Sequence, residues 1–120
     1  MRLKIKENYH GTVIEIHGKY LGAVEGAAFK AALIDLLDAG KTSLVIDLSD
    51  TDLMDSTAIG TFIAGLASVR REGGDIRLAN LKKKIKNLFL MTRLLGPVFE
   101  DYDTVEDALE SYRPEVWAEG

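Results

Sequence analysis

The chain has 120 residues, no cysteine, 47% hydrophobic residues and a net charge of −4. That length suits one domain with a sizeable core, and the missing cysteines exclude disulfides, thiolate metal sites and cysteine nucleophiles. No apolar run approaches the roughly 18 residues of a membrane span, the N-terminus lacks a signal-peptide core, and the acidic balance argues against nucleic acid as main partner. The expectation is a soluble, cytoplasmic domain over residues 1–113, without membrane insertion, followed by a loose tail at 114–120.

Leu3 and Ile5 alternate with Lys4 and Lys6, and Asn8-Tyr9-His10-Gly11 carries turn chemistry before Thr12-Val13-Ile14-Glu15-Ile16-His17. This pattern predicts a hairpin with a four- or five-residue connection. His10 and His17 are far apart and read as surface residues rather than ligands. Gly18-Lys19-Tyr20-Leu21-Gly22 reads as a loop. Phe29, Ala32, Leu33, Leu36 and Leu37 then recur at helical spacing, and Gly40 is placed to end that helix. Gly26 inside the pattern marks either a frayed first turn or a close backbone approach.

Leu44-Val45-Ile46-Asp47-Leu48 is the nearly unbroken apolar run of a strand covered on both faces. Ser49-Asp50-Thr51-Asp52 reads as an acid-rich turn. Ile59, Phe62, Ile63, Leu66 and Val69 form a second helical stripe, with Arg70 and Arg71 in its last turn and Gly73-Gly74 as its stop. Asp75-Ile76-Arg77-Leu78-Ala79 alternates as a strand. A third helix is predicted over residues 82–92, with Ile85, Leu88 and Phe89 inward. Its basic cluster, Lys82-Lys83-Lys84 with Lys86, reads as a solvated face. Gly96-Pro97 breaks the chain, and Val98-Phe99 is expected as a short edge strand. Asp103-Thr104-Val105-Glu106 has capping-box character, and Val105, Ala108, Leu109 and Tyr112 stripe a last helix ended by Pro114. Trp117 in the tail docks either on the domain or on a partner. The order β-β-α-β-α-β-α-(β)-α predicts an α/β fold, a mixed sheet with about four helices and an antiparallel opening hairpin.

The chain is organised around residues 53–60, where a strand feeds a helix through a short polar turn. Ser56 stands at the helix start, as either a plain N-cap or a phosphate acceptor. It is not in a G-x-S-x-G elbow, because Met54 and Ala58 take the glycine positions, and only His10 and His17 are available as a histidine base. Asp47, Asp50, Asp52 and Asp55 read as turn and helix-start residues, since the glycine and closing glutamate of a calcium loop are missing. There is no Walker-type loop. Catalysis is unsupported, and no catalytic residue, metal or cofactor is assigned. A phosphate on Ser56 would add about −1.5 to −2 charges. Asp50, Asp52 and Asp55 lie nearby in sequence, and Lys or Arg do not. The phosphate is therefore expected to repel a bound partner rather than to order the domain.

Met54-Asp55-Ser56-Thr57-Ala58-Ile59-Gly60 after an apolar strand resembles the phosphorylation-site motif of bacterial anti-sigma factor antagonists, which are single STAS domains. The resemblance runs over residues 3–112. It takes in the hairpin, Val45-Ile46-Asp47-Leu48, the Gly73-Gly74 stop, Leu88-Phe89-Leu90-Met91-Thr92-Arg93-Leu94 and Thr104-Val105-Glu106-Asp107-Ala108-Leu109. It implies a non-enzymatic domain that binds an anti-sigma factor, itself a serine kinase, and so releases a sigma factor. The kinase brings its own ATP and phosphorylates Ser56, the phosphorylated form loses affinity, and a PP2C-type phosphatase restores it. The implied docking face combines Asp55, Ser56, Thr57, Ala58 and Gly60 with Lys19, Tyr20, Leu21 and Gly22, and with Met91 and Thr92. Two positions depart from the family pattern. Ala58 stands where many members have glycine, and Gly22 stands where an acid is common in a Gly-x-Leu-Asp pattern. The second departure keeps open a different partner-switching system or a place in a larger assembly. The rival roles are an accessory subunit of a membrane transporter and a component of a multi-protein sensory complex, neither with serine phosphorylation.

Overall fold

The computed structural model describes residues 1–113, so the readings of Pro114, Trp117 and the tail lie outside the described residues. In chain order the elements are β1 (Arg2–Asn8), β2 (Gly11–Tyr20), α1 (Gly22–Asp38), β3 (Ser43–Asp47), β4 (Thr51–Met54), α2 (Ser56–Arg71), β5 (Asp75–Ala79), α3 (Lys83–Met91), β6 (Asp101–Tyr102) and α4 (Val105–Glu110). They form the expected α/β domain with a mixed sheet. Its order is β1-β2-β3-β5-β6, with β1 antiparallel to β2 and the other pairings parallel.

Several boundaries differ from the sequence reading. Asn8 pairs with Gly11, so Tyr9 and His10 alone make the hairpin turn. Residues 18–20 are strand rather than loop, because β4 pairs parallel with the end of β2 and gives that backbone a partner. The acid-rich turn therefore shrinks to Ser49 and Asp50. Thr51 is buried, and its hydroxyl donates to the Ile16 carbonyl at 2.8 Å. The expected edge strand at Val98-Phe99 is a single bridge between Leu95 and Phe99, and β6 falls three residues later, beside Leu78 and Ala79.

Strand alternation divides the core. Ile14, Ile16, Leu44, Ile46, Ile76 and Leu78 belong to one cluster with Phe29, Leu33, Phe62, Leu66, Ile85 and Phe89 of α1, α2 and α3. Val13, Val45 and Ala79 belong to a second, with Ala108 and Leu109 of α4. Coverage of both faces explains why β3 is almost wholly apolar. Phe62 is fully buried at the centre of an aromatic group. Its ring centroid lies 5.7 Å from Tyr20, 4.9 Å from Phe29, 5.9 Å from Phe89 and 6.2 Å from Phe99. Gly26 marks a close approach between helices, since a Cβ there would lie 2.9 Å from the Thr61 methyl of α2. The second face is latched where Arg77 stacks 4.0 Å over the Tyr112 ring and donates to the Ser111 carbonyl at 2.8 Å.

Candidate functional site

The turn between β4 and α2 is set by one carboxylate. Asp55 has extended backbone, and its Oδ1 accepts from the Ala58 N–H at 3.0 Å, so Asp55 is the N-cap of α2. Ser56 is the first helical residue, which replaces the reading of Ser56 as a plain cap. Asp55 Oδ2 accepts from the Gly22 N–H, also at 3.0 Å. Gly22 is the first residue of α1, whose own N-cap, Leu21, supplies no side-chain bond. One carboxylate thus serves two helix N-termini, each of which carries orphan N–H groups and a partial positive charge. Gly22 has φ +78°, a backbone conformation natural to glycine, and this lets its N–H reach Asp55.

Ser56, Thr57 and Gly60 are exposed, whereas Ala58 is fully buried. Among the described residues, the backbone N–H groups of Ser56 and Thr57 have no protein acceptor. The surface expected from Lys19, Tyr20, Leu21 and Gly22 is only partly available. Lys19 and Leu21 are exposed, but Tyr20 is buried in the aromatic group, and burial pushes its phenol up to about 12. Its hydroxyl donates to Thr61 Oγ1, which donates to the Ala58 carbonyl at 2.7 Å. Tyr20 and Ala58 therefore support the first turn of α2 from below and form none of its surface. Thr61 had no signal in the sequence beyond its place on an otherwise uncharged helix stripe.

On the other side of the turn, Leu53, Met54, Ile85, Leu88 and Met91 line a cleft of about 300 Å³, with Lys84 and Asn87 at its polar side. Met91 is 81% exposed and Leu90 52%. The Thr92 hydroxyl is turned back to the Leu88 carbonyl at 2.9 Å. The acids near Ser56 are less naked than their sequence neighbours suggest. Lys82 Nζ lies 3.4 Å from Asp52, and Asp50 pairs with His17. Among the described residues, no group of three or more His, Asp or Glu could hold a metal ion, and no helix is long and apolar enough to cross a membrane.

His17 is more engaged than a free surface residue. Its Nδ1 lies 2.6 Å from Asp50 Oδ2 and its Nε2 3.0 Å from Glu15 Oε1. Both nitrogens can donate only in the imidazolium form. The bond to Asp50, then that to Glu15, holds the His17 pKa above its ordinary 6.5, against desolvation and, more weakly, the charge of Arg2. Lys6 first, and then His17, holds Glu15 below the usual carboxylate range, and His17 does the same for Asp50. Folding thus strengthens proton binding at His17. Its stabilising contribution is complete below pH 6.5 and is lost as pH rises through the higher folded value. The two carboxylates contribute above their unfolded values and lose this on acidification. In urea unfolding, the advantage of the wild type over His17→Gln is expected in full below pH 6.5 and should shrink as pH rises through the higher folded value. An advantage independent of pH would contradict a charged His17.

Residues 2–108 match the STAS domain family. The Anti-sigma-B factor antagonist of Bacillus subtilis is 29% identical over 94 residues, covering 78% of this chain and 84% of that protein. The crystal structure of protein TM1081 of Thermotoga maritima superposes with a TM-score of 0.84 at 23% identity, over 93% of this chain and 95% of that one. The Bacillus cell fate determinant SpoIIAA in its phosphorylated form superposes with a TM-score of 0.72 at 19% identity, over 93% and 100%. With the fold, the Asp-capped turn and the family match in agreement, the chain belongs to the STAS domain family.

Proposed function

We propose that this domain is an anti-sigma factor antagonist that works by partner switching. With Ser56 unmodified it binds an anti-sigma factor that is also a serine kinase, and a sigma factor is freed. The kinase, using its own ATP, phosphorylates Ser56 and lets the domain go, and a PP2C-type phosphatase resets it. The domain supplies no catalytic group.

The observation that supports this reading most is the exposed hydroxyl at the first position of a helix whose cap is already supplied by Asp55. A capping serine would have its oxygen bonded to the backbone, whereas Ser56 is exposed and, among the described residues, its hydroxyl makes no hydrogen bond. The first turns of α2 expose the uncharged Thr57, Gly60 and Ile63, the start of α1 exposes Leu21 and Val24, and the end of α3 exposes Met91, which shares a cleft with Met54. A neutral, partly apolar surface suits docking. A phosphate placed there would meet the free N–H groups of Ser56 and Thr57, so the fold would tolerate it. A bound partner would have to desolvate a dianion, so the complex would not.

The test is to mix the domain with its anti-sigma factor kinase and ATP. Wild type should gain the mass of one phosphate, and Ser56→Ala none. Ser56→Asp should bind the kinase about tenfold more weakly or worse, a difference of about 1.4 kcal/mol. Because Asp55 is the cap, Ser56→Ala should lose no more than about 0.5 kcal/mol of stability. Unchanged mass, with equal binding by all three proteins, would sink the switch and favour an accessory role in a transporter or sensory complex.

A further inference from the structure

Residues 81–99 contain no Asp or Glu but hold five of the fifteen cations, Lys82, Lys83, Lys84, Lys86 and Arg93, in a chain with nineteen acids. Lys82 and Lys86 lie near Asp52 and Asp101 at 3.4 and 3.6 Å. Among the described residues, the side chains of Lys83, Lys84 and Arg93 make no hydrogen bond or ion pair. Beside them stand the exposed Leu90 and Met91, and Lys84 and Met91 share the cleft over Leu53 and Met54. A solvated lysine face would not need exposed apolar side chains at its end, and methionine is suited to adaptable contacts.

The stop of α3 adds an independent observation. Arg93 follows the C-cap Thr92 with φ +60°, and the Arg93 and Leu94 N–H groups close the helix on the Leu90 and Phe89 carbonyls, each at 3.0 Å. This left-handed position favours glycine. After α1 and α2, the left-handed residues are Gly40 and Gly73. At α3 the chain instead places a long, exposed cation in a strained backbone conformation with no partner in the domain. Strain of this kind points to a use outside the fold.

We infer that the exposed side of α3, from Lys84 at its start to Arg93 just past its end, is a docking site for an acidic segment of a partner protein with an apolar anchor. The anchor enters the cleft beside Leu88 and Met91, and flanking carboxylates meet Lys84 and Arg93. The cleft wall includes Leu53 and Met54, the residues that lead into the Ser56 turn, so this site would select the partner next to the switch. The site does not depend on modification of Ser56. A membrane surface fits less well. The site is concave, Asp52, Glu100 and Asp101 lie close in the fold or chain, and the net charge of −4 opposes an anionic bilayer.

The experiment is an NMR titration of the full chain, labelled with nitrogen-15. The probes are a short peptide with a Leu-Leu centre flanked by glutamates and its twin flanked by lysines. The glutamate peptide alone should shift the amides of Leu53, Met54 and α3 through Arg93, less so as salt rises. Arg93→Gly should keep or raise the urea midpoint yet weaken the peptide by about threefold or more, so lost stability does not account for the lost binding. Ser56→Asp should bind the peptide as wild type does, which separates failure of this site from failure of the switch. Absence of localised shifts, an equal response to the lysine twin, or full affinity in Arg93→Gly would overturn the inference. Sedimentation with phosphatidylserine vesicles without a peptide response would overturn it too.

Discussion

Phe62→Ala is expected to lower the free energy of unfolding by about 3–5 kcal/mol. Phe62 is fully buried, and its ring meets Tyr20 from β2, Phe29 from α1, Phe89 from α3 and Phe99. Truncation removes the transfer energy of the ring and leaves a cavity that elements on every side would have to collapse to fill. Four aromatic neighbours with restricted rotamers collapse poorly, which places the variant toward the upper part of that range. Total stability for domains of this kind is about 5–15 kcal/mol, so the loss would be a large share. Urea unfolding checks it, with Phe62→Leu as the control that keeps most of the volume and should lose much less. A loss under about 1 kcal/mol for Phe62→Ala would show that α2 is not seated as described. Because α2 also presents Ser56, partial loosening of Phe62→Ala should blunt any partner binding that needs the turn.

Asp55→Ala is expected to be the most damaging single change at the site, at about 2–4 kcal/mol. Loss of the α2 cap contributes about 0.5–2 kcal/mol, and loss of a second charge-assisted bond, to the Gly22 N–H, adds about 1.5–3 kcal/mol, with incomplete additivity. Asp55→Ser separates the two effects. Serine can cap α2, but it is too short and has too few acceptors to serve Gly22 as well, so its stability should fall between wild type and Asp55→Ala. Amide exchange gives the site-specific reading. Ala58 and Gly22 should both lose protection in Asp55→Ala, and Gly22 alone in Asp55→Ser. Wild-type protection of Gly22 in Asp55→Ala would contradict the shared cap. A domain that needs Leu21 and Ser56 on one docking surface also needs this carboxylate, because it ties the start of α1 to the start of α2.

Much of this was legible along the chain. The helices declared themselves where Phe29, Leu33 and Leu36, and then Ile59, Phe62, Leu66 and Val69, repeat every three or four residues, and each of these side chains is buried. The unbroken run at Leu44-Val45-Ile46 reported a strand covered on both faces. Ser56 was placed at the helix start to within one residue. β4 was not legible, because Thr51-Asp52-Leu53-Met54 is four residues long and begins in an acid-rich stretch. Its strand state comes from pairing with Gly18, Lys19 and Tyr20, which in turn read as loop without it. The partner of His17 was hidden for the same reason, since Asp50 is 33 residues away.

By itself, the sequence determined the α/β class, the order of nearly all elements, the exposed serine at a helix start and the resemblance to STAS domains. These follow from local periodicity, capping chemistry and a contiguous motif, which need no knowledge of distant contacts. The tertiary structure decided that Asp55 rather than Ser56 is the cap, that this carboxylate holds α1 as well as α2, that Tyr20 belongs to the core, and that Arg93 ends α3 in a left-handed conformation two residues after Met91, which lines an apolar cleft. Two of these, the Gly22 bond of Asp55 and the burial of Tyr20, are matters of which groups meet across many residues of chain, and the other two of how one helix begins and another is closed. The free hydroxyl on which the proposed switch depends exists because another residue already satisfies the helix.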